Sequence, residues 1–174
     1  LILGDNFFYG QSLTKKLKNC TKLKTGAKIF LHQVNNPSQY GIVKINDKKK
    51  IINIVEKPKK FISNLAVTGL YFFDNKVIKY SKNLKPSKRN EIEIVDLLKK
   101  YKNKNKLFAE FIGRGGAWLD AGSIKDFYDA SSFVSTLENR QGLKIACLEE
   151  IALGNGWIKN KQIQEAINFY GKCD

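Results

Sequence analysis

The chain has 174 residues with 43% hydrophobic and 27% charged content, enough for one domain with a sizeable core and ordinary for a water-soluble fold. Its formal net charge of +15 raises nucleic acid as a partner. The lysines, however, fall in separate stretches (Lys15-Lys16, Lys48-Lys49-Lys50, Lys59-Lys60, Lys99-Lys100 and the run from Lys102 to Lys106), which reads as solvated faces and AT-rich compositional drift rather than one binding stripe.

No apolar run approaches the roughly 20 residues of a membrane span and no basic-then-apolar leader opens the chain, a cytosolic pattern. Cys20, Cys147 and Cys173 lack any paired spacing and read as isolated thiols. His32 is the single histidine, read as a structural residue near a strand end, which leaves Ser-His and His-metal chemistry almost without material. There is no methionine and the first residues are apolar, so the expectation is the later part of a longer protein.

In chain order, Leu1-Ile2-Leu3 reads as a buried strand ending in Gly4-Asp5-Asn6, with Asp5 just past its carboxyl end, where open α/β sheets bind ligands. Phe7-Phe8-Tyr9 reads as packing. Ser12 predicts an N-cap for a helix carrying Leu13, Leu17 and Cys20. Ala27 to Val34 alternates as a strand. Tyr40 to Ile45 and Ile51 to Glu56, joined by the Asn46-Asp47 turn, predict a β-hairpin, with Gly41 marking close approach.

The strand that ends the hairpin stops at Glu56-Lys57-Pro58, where Pro58 pushes Lys57 toward an extended conformation and leaves an acid and a base at a sheet rim. On those residues alone, a surface ion pair at a turn is the simpler reading. Ala66 to Phe73 is an apolar strand whose interior Gly69 leaves room for a ligand or another backbone.

Asp74 predicts a cap for a helix with Val77, Ile78 and Tyr80, ended by Pro86, and a second helix spans roughly Glu91 to Lys104. Leu107 to Ile112 reads as a strand and Gly113 to Gly116 as a loop. Ala117-Trp118-Leu119-Asp120 repeats the opening pattern of an apolar strand ending in aspartate beside glycine. Ser123 with Asp126 opens a helix to about Arg140, with Phe127, Ala130, Phe133, Val134 and Leu137 on its buried side. Helices at 149–153 and Asn160 to Tyr170 complete an α/β chain read as one domain, a sheet core over 1–145 and a helical region over 146–174.

Two strand-end aspartates, Asp5 and Asp120, could hold a hard divalent cation such as Mg²⁺, which favours carboxylates, waters and substrate phosphates. Glu56 could then accept hydrogen bonds from substrate hydroxyls while Lys57 neutralises a phosphate. Spacing alone does not bring the four together.

Gly4-Asp5-Asn6, Tyr40-Gly41-Ile42-Val43, Glu56-Lys57-Pro58, Ala66-Val67-Thr68-Gly69-Leu70-Tyr71, Gly113-Arg114-Gly115, Trp118-Leu119-Asp120-Ala121-Gly122 and Glu138-Asn139-Arg140-Gln141-Gly142-Leu143-Lys144 occur in an order that resembles the glucose-1-phosphate thymidylyltransferases, sugar nucleotidyltransferases. The resemblance runs nearly end to end. It implies a Rossmann-like mixed sheet flanked by helices, truncated at its N-terminus, with a hairpin insertion and C-terminal helices. It also implies Mg²⁺-dependent transfer of dTMP from dTTP to glucose 1-phosphate, on the route to dTDP-rhamnose, by a homotetramer. Asp5 and Asp120 are the implied metal ligands and Lys57 the implied catalytic residue. Tyr40, Gly41, Glu56, Lys57, Val67, Thr68, Gly69, Tyr71 and Trp118 are the implied substrate-binding residues.

The chain departs from that family in two places. The glycine-rich triphosphate loop and the base-reading residues are absent, so the isolated chain is expected to be inactive and to expose a sheet edge. Where the family's regulatory site has an arginine after the paired glutamates, this chain has Leu153-Gly154, and feedback inhibition is not implied. Alternatives are a sibling enzyme using UTP or another sugar 1-phosphate and, from another class, a basic nucleic-acid-binding module with steep salt dependence.

Overall fold

Strands and helices follow in the order β1 (Asn6–Gly10), α1 (Leu13–Cys20), β2 (Ala27–Gln33), β3 (Gly41–Ile45), β4 (Ile51–Glu56), β5 (Leu65–Phe73), α2 (Lys76–Ser81), α3 (Ile94–Lys102), β6 (Leu107–Phe111), β7 (Gly116–Asp120), α4 (Ile124–Gln141), α5 (Leu148–Gly154) and α6 (Asn160–Tyr170). They are seen in a computed structural model that describes residues 1–87 and 89–171. Cys173 lies outside the described residues.

Five strands make a mixed sheet in the order β4-β3-β5-β2-β6, antiparallel except where β6 runs parallel to β2. The hairpin predicted from Asn46-Asp47 is present, and its register sets Gly41 opposite Glu56. Strand alternation sorts side chains to two faces. Ile29, Leu31, Val67 and Tyr71 pack under Val95, Leu98 and Tyr101 of α3, while Phe30 and Leu70 pack with Cys20 of α1, Phe8 and Trp118. The Asp74 carboxylate ties the first layer together by accepting hydrogen bonds from Gly26 N–H at 2.7 Å, Tyr101 Oη at 2.9 Å and Lys76 N–H at 3.1 Å.

The chain start differs from expectation. Leu1-Ile2-Leu3 runs antiparallel to residues 69–71, with Leu3 N–H donating to Gly69 O and Tyr71 N–H to Leu1 O. Its side chains are nevertheless exposed, Leu1 at 65%. The strand of this segment comes after the Gly4-Asp5 turn, and β1 pairs antiparallel with β7 as a separate two-stranded ribbon. Asp5 thus precedes a strand instead of following one. Apolar content alone does not say whether a run meets a facing layer.

One helix, α3, is shorter than its periodicity suggests. α3 begins at Ile94, and Glu91-Ile92-Glu93 belongs to the loop before it. Ser12 occupies the N-cap of α1 in a left-handed conformation with φ 64° and makes no side-chain cap bond. The Ser123–Asp126 cap forms as expected, with Asp126 N–H donating to Ser123 Oγ at 3.1 Å and Ser123 Oγ to Asp126 Oδ2 at 2.6 Å. On α4, Ala130 is buried, whereas Phe127, expected on the buried side, is exposed.

The chain divides into two compact units, Leu1–Asp126 and Phe127–Asp174. In the second, Glu138 accepts from Ile145 N–H at 2.7 Å and pairs with Lys144 at 3.2 Å, which fixes the turn after α4. The Glu138-to-Lys144 motif is therefore held by its own carboxylate.

Candidate active site

The β3–β4 hairpin delivers one half of a cleft. With Gly41 opposite Glu56 and Lys57 N–H donating to Tyr40 O at 3.0 Å, the rim carries Tyr40, Gly41, Glu56 and Lys57 in one row. A side chain at position 41 has no room: its Cβ would lie 2.9 Å from Val95 Cγ2 and 3.1 Å from Glu56 Oε2. Gly41→Ala is expected to cost about 1–3 kcal/mol by overpacking, read from urea unfolding.

Lys57 does not adopt the extended conformation that its following proline favours. Its φ is 40°, in the left-handed region. The hairpin end over-determines it, since the backbone bond to Tyr40 is made on one side and Pro58 is buried on the other. Such a conformation in a non-glycine residue costs on the order of 1–3 kcal/mol and turns the side chain where a relaxed strand would not.

Burial and the neighbouring Glu93 push the Glu56 carboxyl above its ordinary range, against the pull of Lys57 and Arg89. Arg89 had no place in the sequence reading. Its guanidinium lies 3.9 Å from Glu56 Oε1, 3.5 Å from Glu93 Oε1 and 2.8 Å from Glu91 Oε2. The available signal was residue type: Arg89 is one of three arginines among 31 basic residues, flanked by acids at 91 and 93.

Because the folded-state pKa of Glu56 lies above its unfolded value, its contribution to stability is complete below the ordinary carboxylate range and is lost as pH rises through the raised value. Glu56→Gln is expected to flatten the dependence of stability on pH relative to the parent chain as pH rises above the ordinary carboxylate range. Urea midpoints across that rise check it.

The β1–β7 ribbon delivers the other half. Asn6 pairs with Asp120 in register, and Ala121 N–H donates to Asp5 O at 2.7 Å, so antiparallel pairing puts both aspartates at one end of the ribbon. Gly122 keeps the space between them open, since a Cβ there would lie 3.1 Å from Asp120 Oδ1 and 3.8 Å from Asp5 Oδ2. Burial pushes the Asp120 carboxyl up; the Gly122 N–H and Lys57 oppose this, and Asp5 and Asp126 reinforce it.

Two carboxylates at one ribbon end suit a hard divalent cation that keeps waters and takes its other ligands from substrate phosphates. Among the described residues no group of three or more His, Cys, Asp or Glu side chains forms a closed metal cage. An open site with two protein carboxylates is the arrangement those residues can offer.

These halves face one cleft of about 210 Å³ with Val67, Gly69 and Tyr71 of β5 along its floor and Trp118 on its wall. Burial, reinforced by Glu56, pushes the Tyr71 hydroxyl pKa far up, so Tyr71 stays neutral. The Trp118 ring meets Tyr40 edge-on at 5.1 Å. Gly69 makes room for the Asn6 side chain: a Cβ would lie 2.5 Å from Asn6 Cγ. Thr68, expected to bind substrate, points to the opposite face of β5, where its buried hydroxyl donates to Phe30 O at 3.1 Å.

Other expected features lie elsewhere. Gly113 and Arg114 line a separate cavity of about 280 Å³ with His32 and Phe111. Two of the lysine stretches that look scattered in sequence meet: Lys48, Lys49 and Lys50 of the hairpin turn and Lys102 surround a pocket of about 280 Å³ floored by Ile51 and Phe108.

The sequence and the fold have close counterparts. A profile of the nucleotidyl transferase family matches residues 1–136. A glucose-1-phosphate thymidylyltransferase of Neisseria meningitidis is 46% identical over 99% of this chain and 62% of its own length, and one of Mycobacterium tuberculosis is 45% identical over 94% and 56%. The chain therefore spans about 60% of the length of the relatives it matches. Among solved structures, a Bacillus anthracis protein assigned as a glucose-1-phosphate thymidylyltransferase and crystallised with sucrose aligns with TM-score 0.66 at 39% identity, covering 76% of this chain and 52% of that one. A UDP-glucose pyrophosphorylase bound to UDP-glucose aligns with TM-score 0.66 at 25% identity, covering 78% and 55%. With residues 1–136 matched by the family profile and nearly the whole chain aligned to curated relatives, the chain belongs to the nucleotidyl transferase family.

Proposed function

We propose that the complete protein transfers dTMP from dTTP to glucose 1-phosphate, giving dTDP-glucose and pyrophosphate, and that this chain carries the sugar-phosphate and metal part of the site. The observation that carries the reading is the convergence of Glu56 and Lys57 from the hairpin with Asp5 and Asp120 from the ribbon on one cleft. The names of the relatives support the choice of substrate.

In this reading, Gly41 and Tyr71 leave a sugar-sized space over Val67, and Glu56 accepts hydrogen bonds from the sugar hydroxyls. Arg89 keeps Glu56 in place and partly balances its charge. The sugar-phosphate oxygen attacks the α-phosphorus in line, forming the new P–O bond as the bond to pyrophosphate breaks. Lys57 sits where its ammonium can neutralise charge on the phosphates, most strongly in the transition state. Asp5 and Asp120 would hold Mg²⁺, which would supply further charge neutralisation at the phosphates. The triphosphate loop and the base-reading residues then belong to the part of the relatives that this chain does not span.

The likeness to a UDP-glucose pyrophosphorylase supports a second reading, the same chemistry with UTP. Pyrophosphate release by the complete protein, assayed with dTTP or UTP against several sugar 1-phosphates, separates them. The dTTP and glucose 1-phosphate pair is expected to give the highest kcat/KM; a preference for UTP would replace the first reading by the second.

Assembly as a homotetramer belongs to the same proposal, supported by exposed Leu148, Trp157 and Phe169 in the second unit and checked by light scattering. So does action in the cytoplasm on the way to dTDP-rhamnose. Among the described residues no helix is long and apolar enough to cross a membrane.

A further inference from the structure

The Asn6 side chain bonds to a candidate metal ligand, to the cleft floor and to the cleft wall. Its Oδ1 accepts from Gly69 N–H at 3.0 Å and from Trp118 Nε1–H at 2.6 Å. Two donors on one atom fix the orientation of the amide. Nδ2 must then face the other way, and it donates to Asp5 Oδ1 at 2.8 Å. With that oxygen engaged, Asp5 Oδ2 is left toward Gly122 and Asp120. Gly69 is what admits the amide, since any Cβ there would overlap it.

We propose that Asn6 is a positioning residue that couples the divalent cation to the sugar phosphate, so that occupancy of one position tightens the other. The inference rests on the proposed reading of the cleft. A cation drawing on Asp5 holds the carboxylate and the amide bonded to it. The amide holds Trp118, whose ring packs on Tyr40, and the β5 backbone between Val67 and Tyr71, the surfaces that face the sugar. Each ligand thus prepays the ordering that the other needs, and by linkage the two effects are equal.

The test is a binding experiment on the complete protein without nucleotide. Mn²⁺ affinity is measured by electron paramagnetic resonance with and without glucose 1-phosphate, and glucose 1-phosphate affinity by calorimetry with and without Mn²⁺. Each ligand is expected to tighten the other by about fivefold or more.

Trp118→Phe keeps an aromatic ring and the Asn6–Asp5 bond but removes the indole donor. It is expected to leave Mn²⁺ affinity within about twofold while the coupling falls toward one. Asn6→Ala is expected to abolish the coupling and also to weaken Mn²⁺ binding. Coupling that survives in Asn6→Ala arises from direct contact between the ligands and overturns the proposal, as does absence of coupling in the parent protein when both ligands bind. Failure of both ligands to bind the parent overturns the reading of the cleft itself.

Discussion

Asp120→Asn in the complete protein is expected to lower Mg²⁺-dependent turnover by roughly 10²–10³-fold or more, with little change in unfolding midpoint. The asparagine keeps the shape and can still accept from Gly122 N–H, so the ribbon end is preserved. What disappears is one of the two negative charges facing the cation position. Burial and the neighbouring Asp5 and Asp126 already raise the proton affinity of Asp120, which means the charged form is held at a cost in the metal-free protein. Removing that charge therefore relieves a small destabilisation while it weakens cation binding. A second readout separates the two effects: Mg²⁺ is expected to raise the melting temperature of the parent protein at neutral pH and to do so far less in Asp120→Asn. Turnover of the variant near the parent rate would remove Asp120 from the metal site.

The second large effect is at Lys57, where charge and backbone strain coincide. Lys57→Ala removes the ammonium and keeps a Cβ at φ 40°. Lys57→Gly removes both. Both variants are expected to lose roughly 10²–10³-fold in kcat with a smaller change in KM, because the ammonium acts most on the charge that develops in the transition state. Only Lys57→Gly is expected to gain stability, by about 1 kcal/mol, since glycine adopts the left-handed region without strain. Urea unfolding of the pair measures the difference. Equal stability of the two variants would show that the backbone at Lys57 is relaxed, and a change in KM alone would confine the lysine to ground-state binding.

The same residue shows where sequence reasoning ends. The rule that a residue before proline turns extended is local, and at Lys57 a bond to Tyr40 across the hairpin and burial of Pro58 override it. The hairpin itself was legible from two β-branched runs around Asn46-Asp47, but its register was not, because a bulge between Lys44 and Ile45 shifts the pairing by one residue and so sets Gly41 against Glu56. Asp5 and Asp120 were legible as a repeated pattern, but which strand end each occupies was not. The pairing of β1 with β7 joins residues more than a hundred positions apart, and periodicity carries no information about partners. Gly69 announced a close approach and left its visitor unnamed; the visitor is Asn6. Thr68 followed from motif proximity, whereas strand alternation sends it to the other face. Arg89 was missed because its value lies in three carboxylates gathered by a loop rather than in any pattern of its own. The apolar run at Leu1 to Leu3 misled in the opposite direction, since it pairs through its backbone and exposes its side chains.

The claim on which the rest depends is that the cleft between the hairpin and the ribbon is the sugar-phosphate and metal site. Amide resonances of the complete protein, followed during titration with glucose 1-phosphate and then with Mn²⁺, test it most directly. Glucose 1-phosphate is expected to shift the signals of Gly41, Val67 and Tyr71, and Mn²⁺ to broaden those of Asp5, Asp120 and Gly122. Shifts and broadening confined to other surfaces of a folded protein would contradict it.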